Sequence, residues 1–149
     1  MGLIERLVLA QQRPILGRLA AEVLSIYGVE IPVDVKIGAG FILHHRGQGV
    51  VITNKTSIAA NVVIYQQVTI GRAALSGTDD EVGFEGVSIE RGVTLCAGAK
   101  ILGGRGVLTV GEGSIVAANA VLLQSTGTNE VWAGVPARRV KRLSESVVD

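Results

Sequence analysis

Aromatic side chains are nearly absent from this 149-residue chain, which has one tryptophan, two tyrosines and two phenylalanines, 3% in all. A core organised around rings is therefore excluded. The 48% of hydrophobic residues must pack as branched aliphatics and alanines. The single cysteine, Cys96, excludes an internal disulfide and suits a reducing, cytoplasmic compartment. Cys96 reads as a small corner or core residue rather than a nucleophile. Charge is nearly balanced, at a formal net +1. No global field points to nucleic acid or an acidic membrane. Long apolar runs are missing too. Glu5, Arg6, Arg13, Arg18 and Glu22 break up the N-terminal stretch well short of the ~20 residues a membrane span needs, so no stable membrane insertion is expected.

What the chain does have is a period of six. Ile31, Ile37 and Leu43 form one run, and Ile52, Ile58, Ile64 and Ile70 a second. Ile89, Leu95 and Ile101 form a third, and Val110, Val116 and Leu122 a fourth. Four residues after most of these stands a small or β-branched side chain: Val35, Thr56, Val62, Val68, Val93, Ala99, Ser114 or Ala120. Such a hexad marks a solenoid in which each six-residue stretch is one flat side of a coil. The twenty glycines fit tight corners. Ile42, Val51, Val63 and Val121 fall off the inward register, so part of the outside is apolar and calls for a partner surface. A trimer is the closed symmetry that suits a three-sided coil.

The flanks and interruptions carry the rest. Ile4, Leu7 and Val8, then Ile15, Leu19, Val23 and Ile26, recur at helical spacing. They predict two amphipathic helices within residues 1–28, with Pro14 in the first turn of the second and Gly28 as its stop. Their apolar faces either cap the open end of the solenoid or pack on another subunit. Over 29–149 the hexads break between Leu43 and Ile52, between Ile101 and Val110, and across 71–88, which reads as a loop thrown out from the coils. In the tail, 131–149, Pro136 is expected to begin a short helix carrying Arg138, Arg139, Lys141 and Arg142.

The motifs, in chain order, are Gly28-Val29-Glu30-Ile31, Lys36-Ile37-Gly38-Ala39-Gly40-Phe41-Ile42-Leu43-His44-His45 and Gly49-Val50-Val51-Ile52. Val68-Thr69-Ile70-Gly71, Ala97-Gly98-Ala99-Lys100-Ile101-Leu102-Gly103 and Ala133-Gly134-Val135-Pro136-Ala137-Arg138 follow. Over residues 28–140 the chain resembles the hexapeptide-repeat acyltransferases, in particular the serine acetyltransferase branch and its relatives that O-acetylate exopolysaccharide building blocks such as colanic acid. The resemblance implies a left-handed parallel β-helix, acetyl-CoA as co-substrate, a homotrimer and a small-molecule or glycan acceptor. It puts the general base at His45 with Glu30 as its orienting carboxylate, and His44 on the wall of the acceptor site. It puts Ala97 and Ala118 along the pantetheine arm and the backbone at Gly71 and Arg72 near the thioester carbonyl. Arg138, Arg139 and Lys141 become candidates for the CoA phosphates, though a solvated face accounts for them equally well.

The chemistry agrees with those residue types. Acetyl transfer from a thioester to a hydroxyl needs a base for the hydroxyl proton and an acid for the departing thiolate, and imidazole does both near neutral pH. A carboxylate on the far ring nitrogen fixes the tautomer. The chain departs from the serine enzymes where they carry a His-Pro after the long loop, since Gly86-Val87 stand there instead. In that loop Asp79 and Asp80 could hydrogen-bond sugar hydroxyls or remain solvated. These departures favour a sugar hydroxyl as acceptor, with a divergent serine O-acetyltransferase as the second reading and a non-catalytic scaffold as the third. No metal is expected, because a zinc enzyme on this fold needs three converging imidazoles and the chain has two histidines.

Overall fold

The computed structural model describes residues 2–11 and 17–143. Pro14, Ile15 and Arg13 lie outside those residues. Among them the architecture is mainly β, with two N-terminal helices, α1 (Leu3–Ala10) and α2 (Gly17–Ile26). From Lys36 the chain visits three sheets in turn. The first holds β1 (Lys36–Ile37), β4 (Thr56–Ile58), β7 (Phe84–Ile89) and β10 (Gly106–Val110). The second holds β2 (Ile42–Leu43), β5 (Val63–Ile64), β8 (Thr94–Leu95), β11 (Ile115–Val116), β13 (Glu130–Gly134) and β14 (Ala137–Arg142). The third holds β3 (Val51–Ile52), β6 (Thr69–Arg72), β9 (Lys100–Gly103) and β12 (Val121–Leu122). From β1 to β12, each strand pairs in parallel with the strand three places along, so the chain winds as a three-sided coil.

The register explains the hexads. Ile37, Ile58, Ile89 and Val110 stand opposite one another in the first sheet. Leu43, Ile64, Leu95, Val116 and Trp132 do so in the second, and Ile52, Ile70, Ile101 and Leu122 in the third. All but Ile37 are buried, and the small residues of the second hexad position are buried with them. Burying each of the large aliphatics contributes roughly 1.5–3 kcal/mol. Ile37 is half-buried because its coil is the first. Of the off-register residues, Ile42 and Val51 are exposed and Val63 and Val121 half-buried.

The helices cover the start of the coil. Ile4 and Val8 of α1 are buried one turn apart. Glu5, 7% exposed, accepts the Leu43 N–H at 3.2 Å, and Gln11 Nε2 donates to the Ile31 carbonyl at 2.7 Å. In α2 the buried stripe is Ala20 and Leu24, while Leu19 and Ile26 are 67% and 83% exposed. The expected stripe through Leu19 and Ile26 is thus rotated, because helical spacing alone fits two adjacent faces and packing on the coil selects one. Gly28, at φ +67°, closes α2: its N–H reaches the Ser25 carbonyl while that of Val29 reaches Leu24.

Two more expectations change. Residues 137–142 form strand β14 rather than a helix, antiparallel to β13 with Trp132 opposite Arg139 and Gly134 opposite Ala137. As a strand this segment satisfies the outer backbone groups of β13, which a helix could not. The 71–88 interruption is also shorter than its composition suggests. Its ends join β6, where Gly71 and Arg72 pair with Leu102 and Gly103, and β7, which starts at Phe84. What projects is 73–83, carrying the one-turn helix α3 (Asp79–Val82) with a Thr78/Glu81 capping box and Gly83 at its left-handed stop. The Thr78 N–H bonded to the Glu81 carboxylate lowers that group's pKa.

Candidate active site

The corner after the second sheet gathers much of the predicted site. Because Leu43, Ile64, Leu95, Val116 and Trp132 are in register, so are the residues that follow them. His44 and His45 thus share one corner of successive coils with Tyr65-Gln66, Cys96-Ala97, Ala117-Ala118 and Ala133-Gly134. Backbone bonds stack this corner: Gln67 N–H to Gln48 O (2.8 Å), Gly98 N–H to Gln66 O (3.0 Å) and Asn119 N–H to Ala97 O (2.9 Å). Along it the side chains shrink from imidazole through amide to methyl and hydrogen. The result is a track of small residues leading away from the histidines. Gln66 Oε1 is a buried acceptor on this track with no hydrogen-bond partner among the described residues. Cys96, whose thiol pKa is raised by burial, is held protonated there, as a corner residue rather than a nucleophile.

The histidines sit on an unusual backbone. His45 (φ 52°, ψ 36°) and Arg46 (φ 60°, ψ 20°) are both left-handed, and Gly47 continues the turn at φ +64°. Elsewhere the described non-glycine residues with positive φ are Asn61, Gln67, Asn119 and Asn129. Asparagine suits that region, whereas a left-handed histidine or arginine costs roughly 1–2 kcal/mol. His44 stacks on Tyr65, with ring centroids 4.5 Å apart and planes 26° apart; His45 lies 6.3 Å from the same ring. Tyr65 was missed in the sequence. Its signal was the register, since it follows Ile64 as His44 follows Leu43.

Other predicted residues are not brought together. Glu30 is exposed and bridges to Val51 by backbone bonds at the start of the third sheet. It lines a cleft of about 520 Å³ with Gln11, Ser25 and Val51. No hydrogen bond joins Glu30 to His45 among the described residues. Asp79 is already engaged, with Lys55 Nζ at 3.1 Å and Arg72 at 3.5 Å, while Arg72 also donates to the Gly77 carbonyl at 2.6 Å. These pairs tie the projecting loop to the coil and occupy the Asp79 carboxylate expected to meet a sugar. Asp80 is exposed. Arg138 and Lys141 lie exposed on β14, and Arg139 reaches the Glu130 carboxylate at 3.0 Å. Position 86 admits no side chain, since Gly86 is buried at φ +140° and a Cβ there would strike the Lys55 carbonyl oxygen.

The class these features define is a three-sided stack of parallel strands with a histidine-bearing bulge at one corner. No family model matches the chain. The particular proteins it is similar to are serine acetyltransferases. That of Bacillus subtilis (strain 168) is 35% identical over 133 residues, 89% of this chain and 57% of the relative. That of Staphylococcus xylosus is also 35% identical, over 89% of this chain and 57% of the relative. Among solved structures, the serine acetyltransferase of Vibrio cholerae O1 biovar El Tor N16961 superposes with TM-score 0.79 at 30% identity, over 95% of this chain and 54% of that one. The Brucella abortus strain S19 enzyme in complex with coenzyme A gives 0.74 at 31%, over 93% and 54%. The chain spans a little more than half the length of these relatives. No described helix is long and apolar enough to cross a membrane.

Proposed function

We propose that this chain is an acetyl-CoA-dependent O-acetyltransferase of the hexapeptide-repeat family, its coil wound left-handed and its active sites at the seams of a homotrimer. The observation that carries the reading is the shared corner of His45, Gln66, Ala97 and Ala118. It puts a base at the head of a track that a pantetheine arm can follow. His45 takes the acceptor's hydroxyl proton as the oxygen attacks the thioester carbonyl. The C–O bond forms, the C–S bond breaks, and the proton passes from imidazolium to the leaving thiolate. The end of β6 at Gly71 and Arg72 is the backbone segment that would face the tetrahedral oxyanion, although the Gly71 N–H itself belongs to the β6–β9 ladder. Ala97 and Ala118 leave room for the arm, whose amide N–H the orphaned Gln66 carbonyl can accept. Arg138 and Lys141 meet the CoA phosphates, and Glu30 orients His45 once the site is complete.

The named relatives favour L-serine as acceptor over the sugar hydroxyl expected from the sequence, and nothing in the comparisons supports a role in polysaccharide synthesis. One observation keeps the sugar reading alive: the backbone at Gly86 excludes the imidazole that the serine enzymes carry there. Thiol release from acetyl-CoA, with L-serine beside a panel of sugars, decides between them. His45→Asn, which tolerates the left-handed backbone, is expected to lose about 10²- to 10⁴-fold in kcat with an unchanged circular dichroism spectrum. Wild-type protein that releases no thiol with any acceptor would leave the scaffold reading standing.

A further inference from the structure

The backbone of His45 has no precedent at its own corner. Arg46 stands in line with Gln67, Gly98 and Asn119, which are left-handed as it is, whereas Gln66, Ala97 and Ala118, in line with His45, are not. A left-handed histidine persists only where its surroundings over-determine it. Backbone bonding supplies little of that, since the Gln48 N–H reaches the His45 carbonyl at a long 3.4 Å. Among the described residues neither imidazole has a hydrogen bond or an ion pair. What meets them is the ring of Tyr65. It is stacked on His44 at 4.5 Å and lies 6.3 Å from the His45 ring at 45°, both within the range over which ring pairs attract. In a chain whose aromatic residues amount to 3%, three rings share this one corner. Tyr65 is half-buried and follows directly on Ile64 of β5, whereas both histidines are exposed.

We infer that Tyr65 is a positioning residue for the general base: its ring, fixed by β5, pins the bulge through His44 and so holds the His45 imidazole in one orientation. The inference rests on the acetyltransferase reading, in which His45 takes the acceptor's proton. The ring face does this, and the phenol hydroxyl has no part in it.

The test compares Tyr65→Leu, which removes the ring, with Tyr65→Phe, which keeps it, by thiol release from acetyl-CoA at saturating acceptor. A reacting group displaced by about 1 Å costs about 10²-fold, so Tyr65→Leu is expected to lose roughly 10- to 100-fold in kcat. Its KM for acetyl-CoA should stay within about twofold of the wild type, and Tyr65→Phe should stay within about twofold in both constants. His44→Leu breaks the same stack from an exposed position. The double variant should lose no more kcat than the larger single loss, because both changes remove one interaction. An unchanged kcat in Tyr65→Leu, an equal loss in Tyr65→Phe, or losses that multiply in the double variant overturn the inference. Should the wild type turn over no acceptor, the acetyltransferase reading fails, and the positioning is judged from the backbone carbon NMR shifts of His45. A left-handed signature lost in Tyr65→Leu and kept in Tyr65→Phe sustains it; one shared by all three proteins, or absent from the wild type, removes it.

Discussion

Glu130 provides a sharp test of how the last coil is closed. Its carboxylate is buried and accepts three donors: the Gly127 N–H at 2.7 Å, Trp132 Nε1 at 2.9 Å and the Arg139 guanidinium at 3.0 Å. Its own N–H donates to Ser114 Oγ at 3.0 Å, and that hydroxyl donates to the Gly127 carbonyl at 2.8 Å. In Glu130→Gln the three bonds lose their charge assistance, and the new NH₂ opposes at least one donor. Hydrogen bonds to a charged group contribute about 1.5–3 kcal/mol each and neutral ones about half that, so the expected loss is about 2–4 kcal/mol. The Trp132 bond leads in lowering the carboxyl pKa, with Arg139 and the Gly127 N–H adding to it. A lowered folded-state pKa means stability that is present above the unfolded glutamate value, about 4.3, and is lost as pH falls through the folded value. Trp132 is the only tryptophan, so its fluorescence reports this network alone. Urea titrations should show a lower midpoint for Glu130→Gln at pH 7, with the two proteins converging below about pH 4. Equal midpoints at pH 7, or a difference that persists undiminished at pH 3, would refute the assignment.

Other consequences are testable. Arg46→Gly removes a side chain from a left-handed residue and should raise stability by a few tenths to about 1 kcal/mol, or up to about 4 °C in Tm, by calorimetry; a lower Tm would contradict the strain argument. Leu95→Ala, in the middle of the second sheet's buried column, should cost about 2–5 kcal/mol in urea denaturation. Gly86→Ala, forced against the Lys55 carbonyl at φ +140°, should lose at least about 1–3 kcal/mol; unchanged stability would mean that the β7 backbone is free to shift. Tyr65→Leu should move the His44 imidazole resonances by removing the stacked ring, whereas Tyr65→Phe should leave them in place.

How much of this was legible in the sequence follows from what each residue answers to. The hexads could be read because their period is the coil itself: Ile52, Ile70, Ile101 and Leu122 are buried wherever neighbouring coils exist. The fate of Ala137–Arg142 could not, because a basic segment after a proline suits a helix or a strand, and only the unpaired side of β13 decides. Leu19 lost to Leu24 for a similar reason, since the coil selects the face. At the candidate site, the shared corner of His45, Ala97 and Ala118 was implied by register, and so was Tyr65. The engagement of Asp79 by Lys55 and Arg72 was not, because Lys55 is remote in sequence and only folding brings it to the loop. The left-handed Arg46 was marked indirectly, because Gly98 and Asn119 stand at the same corner position of later coils and are left-handed too, whereas the left-handed His45 has no such counterpart in Gln66, Ala97 or Ala118.

A stack of parallel strands is open at both ends, and each open end is a template on which another chain can polymerise. Here the two ends are blunted by different means. At the first, Glu5 and Gln11 spend their polar atoms on the Leu43 amide and the Ile31 carbonyl, denying them to an incoming strand. At the last, β14 reverses direction along the edge of the second sheet and sets the exposed Arg138, Lys141 and Arg142 there, charges that discourage the addition of another strand.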